Sequence, residues 1–251
     1  ARCAFSWAPG AIQYKIYKNY QQYVAIQKEK FAKQKISTNE ILAHDVQYRS
    51  SLRKRLTERD SEIVKPGMTV LCLGARFGTE VKAFLDRGCF AVGVDLEPGQ
   101  ENKYVLCGDF HSLQFPNQSI DILFTNSLDH AFNLNALITE MKRVLKPNCF
   151  FIAEIMNGRE KGFQPGFYES AAWQSVDDIV ELFTGAGFTV IKRTPIKYPW
   201  SIGGEHISFQ LHDSVSWNRG LLSWVSQDEM RIAQEDMTGA NIVVDGGFTA
   251  W

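Results

Sequence analysis

Beyond the Pro66-Gly67 break, short apolar runs alternate with amphipathic stretches, an order that a layered core accommodates as a parallel sheet with crossover helices. Strands are expected at Thr69 to Leu73, Phe90 to Asp95, Tyr104 to Leu106, Ile120 to Thr125 and Phe150 to Ile155. The clearest intervening helix carries Leu134, Leu137, Ile138, Met141 and Leu145 and stops before Pro147. Ser175 and Asp178 have capping-box spacing and open a second helix that Gly187 ends. Two further strands, Phe188 to Lys192 and His206 to Leu211, flank a loop with Pro195, Pro199 and Gly203-Gly204, which suits an antiparallel pair at the sheet edge.

The residues before that break are a different piece. Residues 1–65 hold 13 Lys or Arg against 6 Asp or Glu, so the net charge of -1 averages a basic front over an acidic remainder. Ala11 to Lys35 has no Gly or Pro and reads as one long helix or two short ones; a further helix is expected from Asn39 to Asp60, with Leu42, Val46, Leu52 and Leu56 apolar. Lys15, Lys18, Lys28, Lys30, Lys33 and Lys35 alternate with tyrosines, a pattern that suits either a nucleic-acid arm or a helical lid showing its lysines to water. Glu29, Glu40, Asp45, Glu58 and Asp60 interrupt the basic run and favour the lid.

The first strand, turn and helix read VLCLGARFGTEV, in which Gly74 and Gly78 allow a tight turn at a helix N-terminus. The GxGxxG fingerprint is not met, because its second and third glycine positions are Arg76 and Thr79. Asp95 ends the second strand, where a carboxylate accepts hydrogen bonds from both hydroxyls of a ribose.

With these two features and three more, the stretch from Val64 to Leu211 resembles the class I S-adenosylmethionine-dependent methyltransferases. The additional pieces are GDFHSLQFP (Gly108 to Pro116), SIDILFTNSLDH (Ser119 to His130) and EMKRVLKPN (Glu140 to Asn148). The resemblance implies an α/β, Rossmann-like, seven-stranded and mostly parallel sheet with helices on both faces, an antiparallel last strand and an N-terminal helical lid. It implies S-adenosylmethionine as cofactor, held by Gly74, Ala75, Arg76, Gly78, Asp95, Leu96, Asp109, Phe110, Asn126 and Ser127, with Asp109 at the adenine amine and Phe110 on the ring. Two positions depart from the pattern: Cys72 stands where many relatives carry an acid, and Arg76 replaces a glycine. Arg76 either pairs with the methionine carboxylate or folds across the site.

Methyl transfer from a sulfonium needs alignment and exclusion of water more than acid-base power, though a hydroxyl acceptor gains from a nearby base. His130 with Asp129 beside it is the expected catalytic pair, and no metal is expected. The aromatics of GFQPGFYES (Gly162 to Ser170), with Tyr198 and Trp200, are candidates to stack on a sugar or planar acceptor or to pack over the sheet edge.

Three segments are expected: a basic lid (1–65), the cofactor-binding domain (66–212) and a C-terminal appendage (213–251). The appendage ends DMTGANIVVDGGFTAW and resembles the carboxyl terminus of short-chain dehydrogenases/reductases; it is expected to serve a homo-oligomer contact. Absence of a long apolar stretch argues against a membrane span, and five scattered cysteines argue against a disulfide framework, so a cytoplasmic protein is expected. The expected function is methyl transfer to a small molecule, with a sugar or other metabolite hydroxyl as one acceptor. The alternatives are an RNA methyltransferase and a catalytically silent binding or assembly module.

Overall fold

The structure, a computed structural model, describes residues 6–33, 38–99 and 102–212; the expected appendage and its strand at 241–244 lie outside the described residues. The chain begins with β1 (Ile12–Tyr14), α1 (Tyr20–Lys33) and α2 (Thr38–Glu58), followed by β2 (Thr69–Leu73), α3 (Thr79–Leu85), β3 (Phe90–Asp95), β4 (Val105–Cys107) and β5 (Ile120–Thr125). It continues through α4 (Leu134–Val144), β6 (Leu145–Met156), β7 (Ala171–Trp173), α5 (Val176–Gly185), β8 (Phe188–Ile196) and β9 (Gly204–Leu211). Seven strands form one sheet in the order β4-β3-β2-β5-β6-β9-β8, parallel except for β9, which runs antiparallel to both neighbours. The expected sheet is therefore present.

Alternation along β2 divides the core. Leu71 and Leu73 face a cluster with Leu137, Ile138 and Met141 of α4 and Ile179 and Phe183 of α5. Val70 and Cys72 face the opposite cluster, with Phe84 of α3 and Tyr48, Leu52 and Leu56 of α2. Because both faces are covered, the central strands are mostly apolar on both sides rather than alternating strictly with polar residues. Truncating a fully buried leucine such as Leu52 to alanine is worth roughly 2 to 5 kcal/mol in such a core.

Three departures from the sequence reading have physical causes. Ala11 to Lys35 is not helical throughout: Ile12–Tyr14 form β1, paired antiparallel with β7 in the register Ile12↔Trp173, and helix starts at Tyr20. On α2 the buried row is Tyr48, Leu52 and Leu56, whereas Leu42 and Val46 are 56% and 69% exposed. Strand β6 starts at Leu145, before Pro147 and the left-handed Asn148 (φ +58°), with a shift in pairing between Ile120 and Ile122 that absorbs them.

A buried polar network fastens α2 to the sheet. Arg55 donates to Glu154 of β6 at 2.5 Å, the Tyr48 hydroxyl donates to the same carboxylate at 2.8 Å, and His206 of β9 lies between Glu154 and Asp60. Burial opposes charge on His206, but hydrogen bonds to Asp60 and Glu154 outweigh it and hold the imidazole up to about 9.

Candidate functional site

The carboxyl ends of β2 and β3 open at the edge of the sheet where the order turns from β3-β2 to β5, the usual crevice of an open α/β sheet. Gly74 (φ +67°) turns the chain out of β2, and a Cβ there would lie 2.8 Å from the Ser127 Cβ. Only glycine leaves the space between the two loops open. Asp95 closes β3; its Oδ2 accepts the Arg76 N–H at 3.1 Å and its Oδ1 the Glu97 N–H at 2.9 Å. Those two backbone donors hold the carboxylate at the wall of a half-open cleft.

That cleft is lined on the sheet side by Gly74, Arg76, Asp95, Leu96, Phe110, Ser127 and His130, all expected from the sequence. Five other expected residues stand behind the wall. Ala75 is buried against Gly93, Gly78 faces Tyr104, and Asn126 donates to Glu80 at 3.0 Å and to the Tyr48 hydroxyl at 2.8 Å. Asp109 is engaged inside the protein: its Oδ1 accepts from the His111 N–H and Nδ1, each at 2.8 Å, and its Oδ2 accepts the Tyr20 hydroxyl. Asp129 sits beside His130 rather than in the lining.

The opposite wall comes from the segment expected as a helical lid, but its lining residues were not legible as site residues in the sequence. Tyr23, Gln27 and Lys30 of α1 line the cleft, together with Glu97. Their spacing of i, i+4 and i+7 places them on one helix face, a signal that the slow drift of the tyrosines conceals. The Tyr23 hydroxyl donates to the His130 carbonyl at 3.1 Å, Gln27 donates to the Tyr168 carbonyl at 2.7 Å, and Lys30 Nζ reaches His130 Nε2 at 2.8 Å. Lys15 also turns inward, donating to the Phe167 carbonyl at 2.6 Å, while Lys18 and Lys28 are exposed. The expectation that the basic front shows all its lysines to water is thus corrected at Lys15 and Lys30.

His130 Nδ1–H donates to the Tyr168 carbonyl at 3.0 Å, which leaves Nε2 as the acceptor facing Lys30. Burial, reinforced by the Lys30 charge, pushes the imidazole down to about 4, so the ring is neutral near pH 7. Burial also lowers Lys30 and raises Asp129 to about 6. The Asp129 carboxylate lies 3.7 Å from His130 Nε2 and so does not orient the ring through Nδ1. Asp129, His130 and Glu169 place three donor atoms within 4.8 Å of one another, and the Lys30 ammonium is the protein's own cation beside them.

The aromatics after β6 divide between roles. Tyr168 supplies its carbonyl to His130 and Gln27 and lies beneath the Lys30 ammonium, whereas Phe163 packs on Trp173 and Tyr198 on Tyr48. The residues fit an adenosine-type cofactor: Gly74 leaves room that a Cβ would fill, Asp95 presents a carboxylate, and Phe110 offers a ring.

Residues 71–153 match the family model of a methyltransferase domain. A search of curated proteins found no match. Among solved structures, the chain is similar to a 1,6-didemethyltoxoflavin-N1-methyltransferase of Burkholderia thailandensis, solved with 1,6-didemethyltoxoflavin and S-adenosylhomocysteine (14% identity, TM-score 0.60, 83% of this chain and 99% of that one). It is also similar to an S-adenosylmethionine-dependent methyltransferase of Methanosarcina mazei (16%, TM-score 0.51, covering 62% and 97%) and to a protein of Pyrococcus horikoshii (22%, TM-score 0.52, covering 65% and 91%). The sheet order and glycine turn thus belong to the fold that these solved structures share, and residues 71–153 within it match a methyltransferase domain.

Proposed function

We propose that this protein binds S-adenosylmethionine at the Gly74 turn and transfers its methyl group to a small-molecule acceptor held beneath α1. The observation that carries this reading is a single cleft with Gly74, Asp95 and Phe110 on one wall and Tyr23, Gln27 and Lys30 on the other. Bound S-adenosylmethionine supplies an electrophilic methyl group on a sulfonium. Asp95 holds the ribose hydroxyls, Phe110 packs on the adenine, and the α1 face excludes water from the reacting end. At that end His130, neutral and fixed in tautomer by the Tyr168 carbonyl, accepts one N–H of Lys30 and so fixes where its nitrogen points. In its neutral form Lys30 is then placed to receive a proton from an acceptor O–H or ring N–H.

The inward turn of Lys15 and Lys30 favours a small-molecule pocket over an RNA arm, since both are spent inside the fold. Calorimetry with S-adenosylmethionine and S-adenosylhomocysteine tests the reading. Binding of either is the expected result, and absence of both from protein shown to be folded would return the chain to a silent, methyltransferase-like module.

A further inference from the structure

Glu80, in the first turn of α3, is only 8% exposed, and among the described residues no ion pair reaches it. Its carboxylate accepts an Asn126 N–H at 3.0 Å. Burial is the main influence on it, and the acidic neighbours Glu154 and Asp95 add to that, so the carboxyl is pushed up to about 7. Cys72 of β2, one of the two positions that depart from the pattern of the resembled family, is close enough for the Glu80 charge to raise its thiol further. A buried acid that lacks a countercharge is costly unless something positive comes to it.

The route from Glu80 to the cleft is continuous. Asn126 Nδ2 donates to Glu80, Asn126 Oδ1 accepts the Ser127 hydroxyl at 3.0 Å, and Ser127 lines the cleft against Gly74. The other amide hydrogen of Asn126 goes to the Tyr48 hydroxyl, which itself donates to Glu154, so the amide cannot rotate without breaking bonds on both sides. The chain is thus a fixed polar line from a buried carboxyl to the wall where the cofactor is proposed to sit.

We propose that Glu80 is a positioning residue for the cationic cofactor: its ionised carboxylate, acting through Asn126 and Ser127, supplies the negative charge that β2 lacks at Cys72. This rests on the S-adenosylmethionine reading above. S-adenosylmethionine carries two positive groups and one carboxylate, and its arrival draws the proton from Glu80 into solvent. Binding and proton release are then linked, and affinity rises with pH while Glu80 passes from protonated to ionised.

Charged or titratable groups that face Glu80 are Tyr48 from α2, Cys72 from β2, Asp95 from β3 and Glu154 from β6; Lys30 and Arg76 lie farther along the cleft, with Asp129 beside His130 outside its lining. Because Asp129 titrates at about 6, the wild-type slope alone does not separate the two acids, and a Glu80 variant does.

The experiment is calorimetry of the full chain with S-adenosylmethionine at pH 6, 7 and 8, in two buffers of different ionisation enthalpy. The wild type is expected to bind about tenfold more tightly at pH 8 than at pH 6 and to release a fraction of a proton at pH 7. Glu80→Gln, which keeps a group to accept from Asn126, is expected to flatten that slope and abolish most of the release while keeping its thermal midpoint at pH 6. A retained slope and release in Glu80→Gln would overturn the role of Glu80 while leaving the cofactor reading intact. Loss of all binding in the wild type would remove both. Should the variant not fold, absence of proton release from the wild type between pH 6 and 8 overturns the proposal by itself.

Discussion

Lys30 Nζ stands 2.8 Å from His130 Nε2, so a helix from the basic front meets the loop after β5 across the cleft. Burial lowers the lysine, and the imidazole opposite is held neutral. Lys30→Met is expected to lower methyl transfer by about 100-fold, in the range of a lost general base. It should also remove the limb of the pH profile on which turnover rises as Lys30 loses its proton. The check is kcat against pH, read as release of S-adenosylhomocysteine with an acceptor found by screening hydroxyl and ring N–H compounds. A variant that keeps that limb would exclude Lys30 as proton acceptor.

Asp95→Ala removes the carboxylate that two backbone N–H groups hold at the cleft wall. S-adenosylmethionine affinity is expected to fall by about 1 to 3 kcal/mol, as for hydrogen bonds to a charged group. Isothermal titration measures this directly. Unchanged affinity would mean that the ribose is held by other residues.

Tyr20 is tied to Asp109 and lies against Phe132, with ring centroids 5.1 Å apart. Tyr20→Phe keeps the ring packing and deletes the tether. Amide exchange in α1 should then rise while the sheet stays protected, because only the local opening becomes easier. Equal exchange in both proteins would show that ring packing alone holds the helix down.

His130 and His206 give stability opposite pH dependences. His130 is held down at about 4, so below pH 6.5 the unfolded chain takes its proton first and stability falls as pH drops toward 4. His206 is held up at about 9; its contribution is fully present below pH 6.5 and is lost as pH rises through 9, at most about 3 kcal/mol. Denaturant unfolding of His206→Gln from pH 6 to 10 is expected to show lower stability at pH 6 and a flatter alkaline limb than the wild type.

The sheet was legible because its strands are apolar on both faces and separated by caps and glycines that end elements locally; Ser175 with Asp178 forms the capping box that its spacing announces. Asp95 and Gly74 were legible for the same reason, since Asp95 ends β3 and Gly74 follows β2 directly. The roof was expected as a lid, but the residues it turns into the cleft were not legible. Tyr23, Gln27 and Lys30 are polar or aromatic residues whose burial depends on where the sheet lies, and nothing local separates them from Lys18 and Lys28. Strand β1 was hidden because its pairing partner, β7, lies about 160 residues away and is itself only three residues long.

That pairing of Ile12–Tyr14 with Ala171–Trp173 ties the roof and the segment after β6 into one mechanical part. Lys15 clamps the Phe167 carbonyl and Tyr17 bonds the Ser170 hydroxyl at 2.7 Å, so the two segments travel together. A graft of residues 11–33 without 163–173 would therefore leave the roof without the carbonyls and hydroxyl that Lys15, Tyr17 and Gln27 bond in that segment.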